Sequence, residues 1–564
     1  MTRIGSLVLT CFLATAALAQ QPQVQHKPHD EWWEHAVIYE ISPRSFQDSN
    51  GDGIGDINGI TSRLDYLKDL GIDAIWINPM YPSPGVDYGY DISNYTAIDP
   101  EFGTMADFDH LVAEAKKRDI RVIMDYVINH TSDQSEWFKE SRSSRTNPKR
   151  DWYIWRDGKG PGEPPNNWQS WFGHSAWTYD TKTGQYYYHY FYTQQPDLNW
   201  RNPEVHKAMD GVLDFWMQHG VSGFRIDAVS RLFEDPNLHD DPYLPGFNAY
   251  GDRNIEHKYT DNLPQVHDVL KELRQVVGKY PGDPVLITEA DEPNIAELTK
   301  MYGNGDEVQL PMDFQIADVN KLSAPTFRRL FNEVETNTAD GWPEYFFSNH
   351  DQPRQWDRYG DGVHNDQIAK LMATLLLTAR GTPQMYYGEE LGMRTTEPTR
   401  IEDVHDPIGK LGWPKEKGRD GERTPMQWDS SKEAGFTTAA KTWLPIPPSA
   451  AQNNVAAEKA DPNSIFNAYK LLLALRRSEP ALRDGSYQAV NEDDQNVFAY
   501  LRQAEGSTIL VALNMSGEAR TISIKGVHGS AATALYQSPT SNAAEMQLDH
   551  LTLAPFGVLV ARVQ

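Results

Sequence analysis

Gly223-Phe-Arg-Ile-Asp-Ala-Val229 is the stretch on which the reading of this chain turns. An apolar run from Gly220 to Phe224 leads into Arg225 and Asp227, two charged residues at alternate positions near the end of a strand pattern. Asp125-Tyr-Val-Ile-Asn-His130, Ile287-Thr-Glu-Ala290 and Phe347-Ser-Asn-His-Asp351 repeat the arrangement after their own apolar runs. Runs of this kind suit strands buried on both faces of a parallel sheet. Acidic residues at the C-terminal ends of such strands mark the active-site face of a (β/α)₈ barrel. Asp227, Glu289 and Asp351, each with a basic or imidazole neighbour, suggest chemistry on a glycosidic bond.

Outward from these segments, apolar strands alternate with helix-length amphipathic stretches. The spacing predicts strands at Val37–Ile41, Ala74–Ile77, Val122–Asp125, Gly223–Ile226, Val285–Thr288, Val308–Met312, Glu344–Ser348 and Gln384–Tyr387. Helices are predicted at Ile60–Leu70, Met105–Arg118, Pro203–His219 and Leu263–Val277. This is an α/β chain: a (β/α)₈ TIM barrel over 31–130 and 201–483, with a doubly wound sheet as the alternative on pattern alone. Between them, 131–200 is far too long for a βα loop and reads as an inserted domain B after strand 3. A second long segment, Gly392 to Phe436, is expected at the same rim. From 484 to 564 short alternating strands predict a C-terminal antiparallel β-sandwich.

The N-terminus reads as a bacterial secretory signal over 1–19, followed by a polar tether over 20–30. Export to periplasm or medium is the expectation. The single cysteine, Cys11, lies inside that signal, so thiol chemistry and disulfides are excluded from the mature chain. A net charge of −27 and a pI near 5.0 argue against nucleic acid or an anionic membrane as partner. The 16 Trp and 27 Tyr exceed what a core needs and suit stacking against sugar rings. A small oligosaccharide is therefore the expected partner, bound by a monomer or homodimer. No organic cofactor is implied.

Asp48-Ser-Asn-Gly-Asp-Gly-Ile-Gly-Asp56 sets oxygen ligands at alternate positions: Asp48, Asn50, Asp52, the Ile54 carbonyl and Asp56. Hard cations such as Ca²⁺ take such a set. An EF-hand reading fails, because position twelve is Gly59 and no helix precedes the loop. A nucleotide loop fails on spacing.

The four opening segments resemble, in order and wording, the four signature regions of the α-amylase family of glycoside hydrolases, also called family 13. Gln195-Pro-Asp-Leu-Asn199 looks like the extra signature of its oligo-1,6-glucosidase and α-glucosidase branch. The resemblance runs from about Trp32 to the C-terminus and disfavours the doubly wound alternative. It implies that Asp227 is the nucleophile, Glu289 the general acid and later base, and Asp351 a third carboxylate gripping sugar hydroxyls. In retaining enzymes the first two stand about 5 Å apart. Arg225, on the same face as Asp227 by the period of two, is expected to keep Asp227 ionised, with Glu289 held protonated by an apolar setting.

The resemblance also implies that neutral His130 and His350 hold the hydroxyls of the sugar in subsite −1. Tyr90 would stack under that ring, and Asp87 would take its non-reducing-end hydroxyls. Arg423 would pair with Asp87 to close the pocket, and Phe172 and Phe191 would be aromatic walls. Tyr88 departs from the Asn of many relatives. The 48–56 loop would hold a structural Ca²⁺, remote from the chemistry. Ala228, just after the nucleophile, accompanies α-1,4 rather than α-1,6 cleavage, so an exo-acting α-glucosidase is expected. Trehalose synthase or sucrose isomerase activity shares every catalytic residue and stays open, as does α-1,6 specificity. A catalytically dead transporter subunit of the same fold is disfavoured because all three carboxylates are present.

Overall fold

The computed structural model describes residues 31–160, 162–338, 341–527, 529–540 and 545–564. The signal-like segment, the tether and Cys11 lie outside them. Eight parallel strands run in barrel order: β1 Ile38–Ile41, β2 Ala74–Ile77, β3 Arg121–Val127, β4 Gly223–Asp227, β5 Val285–Thr288, β6 Leu310–Pro311, β7 Glu344–Tyr345 and β8 Thr382–Tyr386. β1 pairs with both β2 and β8. A single parallel bridge, Met312 to Glu344, joins the β6 and β7 ends and closes the ring. β6 and β7 are shorter than the runs Val308–Met312 and Glu344–Ser348 predict, since strand pairing there stops where the chain turns toward the rim.

The period of two sorts each strand into an outer and an inner row. Tyr39, Ile41, Ile75, Ile77, Met124, Phe224, Ile226 and Leu286 pack outward on the helices. Ile38, Ala74, Trp76, Ile123, Val285 and Ile287 fill the interior. Extending the inner row toward the C-terminal ends brings Glu40, Asp125, Arg225, Asp227 and Glu289 to the barrel mouth. Register fixes their heights: Asp125 is level with Arg225, and Arg225 with Ile287. Gly223 has φ 156°, and a Cβ there would lie 2.2 Å from the Val285 carbonyl oxygen, so only glycine lets β4 and β5 approach.

Surrounding helices follow local chemistry. Pro203–Gln218 starts with proline at its first position behind an Asn202 side-chain cap. Ile60–Leu70 is not one helix: Ile57–Ser62 and Leu64–Leu70 break at Arg63, and Gly71 at φ 110° ends the second.

The 131–200 insert holds a small antiparallel sheet of Trp155–Arg156, Gln185–Tyr188 and Trp177–Asp180. Sequence reading missed a second excursion, after β4. It docks on the insert through Trp168 Nε1 to the His239 carbonyl (2.9 Å), and its hairpin, Tyr243–Phe247 with Arg253–Ile255, through Gln169 Nε2 to the Arg253 carbonyl (2.9 Å). The C-terminal domain is a six-stranded antiparallel sheet with the Arg520–Ile522/Leu551–Leu553 ribbon over one face, so the sandwich is lopsided. Three of its strands, Ser486–Val490, Ala531–Ser538 and Glu545–Gln547, go beyond those read from sequence at Val497–Leu501, Thr508–Asn514, Thr521–Ile524, Leu551–Leu553 and Gly557–Val563, because their small and polar residues alternate weakly.

Candidate active site

Arg225 organises the mouth of the barrel. Its Nη1 lies 2.6 Å from Asp227 Oδ1 and 3.1 Å from Asp125 Oδ1, and its Nη2 is 3.0 Å from Glu289 Oε2. Trp76 lies against the guanidinium at 5.0 Å and donates from Nε1 to Asp125 Oδ2 (3.2 Å). A fully buried cation thus holds three carboxylates, two of them the predicted nucleophile and acid. β4 supplies Arg225 and Asp227, β3 supplies Asp125, and Glu289 follows β5 directly.

The expected contrast between an ionised Asp227 and an apolar, protonated Glu289 needs correction. Arg225 touches both, and the Asp227 side chain is the more enclosed, at 10% exposure against 23% for Glu289. Burial pushes the Asp227 carboxyl well above the usual carboxylate range, against the pull of Arg225, and the Glu289 and Asp125 charges push the same way. Three carboxylates share one guanidinium, so the cluster titrates as a unit.

Glu289 is also tied to the turn after the nucleophile. The Ala228 N–H donates to Glu289 Oε2 (3.1 Å). Ala228 sits in the left-handed region at φ 48°, buried, with a Cβ that a branched side chain would crowd.

His130 is buried and neutral. Burial lowers it to about 4, against the Asp87 charge. Its Nε2 lies 3.1 Å from the Tyr90 carbonyl, and its edge meets Phe191 at 5.2 Å. His350 differs from the expected neutral donor. Burial opposes its charge, but Asp351 and Glu40 together raise it to about 9, so it is an imidazolium at neutral pH. Tyr90 stacks on His350 at 5.3 Å and donates its hydroxyl to Asp125 Oδ2 (2.8 Å), which makes it part of the floor.

The predicted Asp87–Arg423 pair is not formed. Asp87 Oδ1 bonds Arg419 Nη2 at 2.7 Å. Arg419 also reaches Asp351 Oδ1 (2.8 Å) and Asp406 Oδ2 (2.8 Å). Arg423 instead bonds Asp351 Oδ1 (2.9 Å) and donates from Nε to the His350 carbonyl (2.8 Å). Two arginines four residues apart in Gly418-Arg-Asp-Gly-Glu-Arg423 can each reach such a carboxylate, and spacing does not choose between them. The signal was present but ambiguous. Asp351, flanked by Arg419, Arg423 and His350, is driven well below the ordinary carboxylate range against its burial.

Gln195 of the fifth segment donates from Nε2 to Asp87 Oδ2 (3.1 Å), so the insert takes part in the site. Phe172 lies against Tyr192 at 4.2 Å and Phe191 at 5.6 Å, with the Arg419 guanidinium 5.9 Å above its ring. Tyr88, at φ 50°, donates its hydroxyl to Asp420, and Arg423 covers its ring at 4.5 Å. The departure from Asn thus braces Arg423 and the Asp420 turn beside it.

The 48–56 loop is remote from these residues in the chain and curls on itself. Asp48 Oδ1 accepts from Asn50 N (2.9 Å) and Gly51 N (2.7 Å), Asn50 Oδ1 from Asp52 N (2.9 Å), and Asp52 Oδ1 from Ile54 N (2.8 Å). Asp56 caps the Ile57–Ser62 helix through Gly59 N (2.7 Å). Among the described residues no group of three or more His, Cys, Asp or Glu side chains is gathered as a metal site. The residue types are nonetheless those a hard cation takes, with Asn50 and the Ile54 carbonyl as neutral ligands, although Asp48 Oδ1 already accepts from two backbone N–H groups.

A (β/α)₈ barrel with paired carboxylates on a buried arginine, walled by an inserted domain, defines a barrel glycosidase. Residues 40–485 match the model of the α-amylase catalytic domain and 487–560 that of the maltogenic amylase C-terminal domain. The chain is 43% identical over 507 residues to a probable α-glucosidase of Rhizobium meliloti (strain 1021), covering 88% of this chain and 91% of that one. It is 42% identical over 523 residues to an oligo-1,6-glucosidase of Parageobacillus thermoglucosidasius, covering 86% and 90%. An isomaltulose synthase variant of Erwinia rhapontici NX5, solved with sucrose, superposes with TM-score 0.88 at 38% identity, covering 95% of this chain and all of that one. The chain belongs to the α-amylase family of glycoside hydrolases, and its homologues fall in the oligo-1,6-glucosidase and α-glucosidase branch. Among the described residues no helix is long and apolar enough to cross a membrane.

Proposed function

We propose that this enzyme is an exo-acting retaining α-glucosidase that releases α-glucose from the non-reducing end of maltose and short α-glucooligosaccharides, with α-1,4 bonds preferred. The observation that supports it most is the joint hold of Arg225 on Asp227 and Glu289, which gathers on one side chain the two carboxyl groups that double displacement needs. The Asp87–Arg419–Asp351 chain supports exo action, because it ties together the carboxylates expected to take the sugar's hydroxyls at the non-reducing end.

In this reading Glu289 is the member of the pair that delivers a proton and Asp227 the member that attacks. Asp227 attacks the anomeric carbon while Glu289 gives that proton to the departing oxygen. The C–O bond to the leaving sugar breaks as the bond to Asp227 forms. Glu289 then takes a proton from water, which displaces Asp227 with a second inversion. Asp351, held ionised by its three cations, grips sugar hydroxyls as positive charge develops on the ring.

A second reading, transfer or isomerisation rather than hydrolysis, is favoured by the likeness to the isomaltulose synthase and to a trehalulose synthase of Pseudomonas mesoacidophila MX-45, with TM-score 0.87 and 38% identity. Product analysis separates them. With maltose, isomaltose and sucrose, the first reading expects free α-glucose as the main initial product. Rearranged disaccharides from sucrose in excess over hydrolysis products would favour the second.

Linkage preference is tested at Ala228. Ala228→Val adds two methyl groups at a buried left-handed turn, which lowers stability by about 1–3 kcal/mol. It should move the maltose-to-isomaltose ratio of kcat/KM toward isomaltose by about tenfold, the scale of methyl-group discrimination. An unchanged ratio, or isomaltose preferred by the wild type, refutes the assignment.

The 48–56 loop is proposed as a structural Ca²⁺ site held by Asp48, Asn50, Asp52, the Ile54 carbonyl and Asp56. A ligand bound only to the folded chain stabilises by mass action, so EDTA should lower the Tm and added Ca²⁺ restore it. With the protein still folded, kcat should stay within about twofold, since the loop's carboxylates bond their own backbone and the site is proposed to act on stability alone. A Tm indifferent to both treatments rules the site out.

A further inference from the structure

We propose that Glu40 is a positioning residue of the active site, whose buried carboxylate keeps His350 cationic so that a charged donor faces the −1 sugar and Asp351. The inference rests on the glycosidase reading above.

Glu40 lies in β1, on the inner row with Ile38, and is fully buried. The strand parity that sends Tyr39 and Ile41 outward to the helices leaves Glu40 facing the barrel mouth. Its Oε1 lies 2.6 Å from His350 Nδ1 and accepts from Asn78 Nδ2 at 3.1 Å. Its Oε2 has no hydrogen-bond partner among the described residues. A buried carboxylate with so few donors is costly unless a cation sits beside it. The imidazolium of His350 is the cation in contact with it.

On its other side His350 Nε2 meets Asp351 Oδ2 at 3.1 Å and the Tyr90 hydroxyl at 2.8 Å. The ring is therefore clamped between two carboxylates, with both nitrogens placed to donate. Other groups around it do not replace Glu40. Trp76 presents its edge at 5.8 Å, and Tyr90 stacks on the face. The Asp125 carboxylate couples to His350 but is itself bonded to Arg225. Arg423 approaches only the His350 carbonyl and opposes a positive ring, as Arg419 does through Asp351. Asp351 divides its charge among both arginines and His350, whereas Glu40 faces His350 alone. The histidine's titration, raised to about 9, has Asp351 as its larger raising cause and Glu40 as the next.

Glu40→Gln keeps the shape and the Nδ1–H···O acceptor but removes the charge. Loss of an opposite charge at this distance should lower the His350 titration by about one pH unit or more. The sign follows: a raised histidine is protonated in both forms at low pH, and the variants diverge only as pH rises. In ¹⁵N-histidine NMR, with His350→Gln to assign the signal, wild-type His350 should remain an imidazolium at pH 8 while the variant titrates below it. On an α-glucoside, kcat/KM of Glu40→Gln should equal that of the wild type within about twofold at pH 5.5 and fall at least about threefold further behind by pH 8.5. A His350 titration unmoved by the substitution overturns the proposal, as does an activity loss equal at both pH values, which is the mark of a structural role. The NMR arm needs no substrate, so failure of the glycosidase reading would show as an inactive wild type with the titration shift intact.

Discussion

Asp227→Ala and Glu289→Gln should each lower kcat on maltose by about 10⁴-fold or more while the protein still melts cooperatively. The size follows from residues that act as a unit, since losing either stops double displacement. Survival of the fold follows from Arg225, which in each variant keeps two of its three carboxylates. The two variants should differ in one respect. With an activated fluoride leaving group, which needs no proton, Glu289→Gln should recover its glycosylation step, whereas Asp227→Ala should not. Retention of a tenth of wild-type kcat by either variant on maltose would remove the assignment. Initial release of β-glucose by the wild type, seen by ¹H NMR before mutarotation, would remove the mechanism.

Arg419→Ala carries the second-largest expected effect. Asp87, Asp351 and Asp406 converge on this one guanidinium, and Arg423 helps only Asp351. Truncation leaves Asp87 and Asp406 as enclosed charges without their arginine, a loss of about 3–5 kcal/mol in stability. In activity, Asp87 and Asp351 lose the cation that holds both, and kcat/KM on maltose should fall by about 10²-fold, through KM as well as kcat. Arg419→Lys keeps one charge but cannot fork to three partners, so it should recover only part of the loss. Arg423→Ala offers the contrast, since it leaves the Asp87–Arg419 contact in place. If Arg419→Ala stays within threefold of the wild type, Arg419 does not close the site.

Sequence by itself determined the barrel and its order of strands, and it supplied the candidates for the reacting carboxylates. Those calls needed only a period of two, apolar runs and motifs local to a few residues, and the barrel and the family reading are borne out by the strand order and the family matches. The inward row that carries Arg225 and Asp227 was legible because one strand fixes both directions. Partnership across the barrel was not legible. Arg419 and Arg423 stand four residues apart in an irregular segment, where no period says which way a side chain points, and only the packed rim gives Asp87 to the first. The excursion after β4 was hidden because its exposed hairpin has no apolar period and gains its place by docking on the insert. Charge states were the furthest from the sequence. His350 is cationic, and Asp227 is raised despite Arg225, because a titration depends on every charge and on all the water removed around a group, and strands distant in the chain bring those together. Glu40 shows this most directly: 310 residues from His350 in the chain, it is 2.6 Å away in the fold.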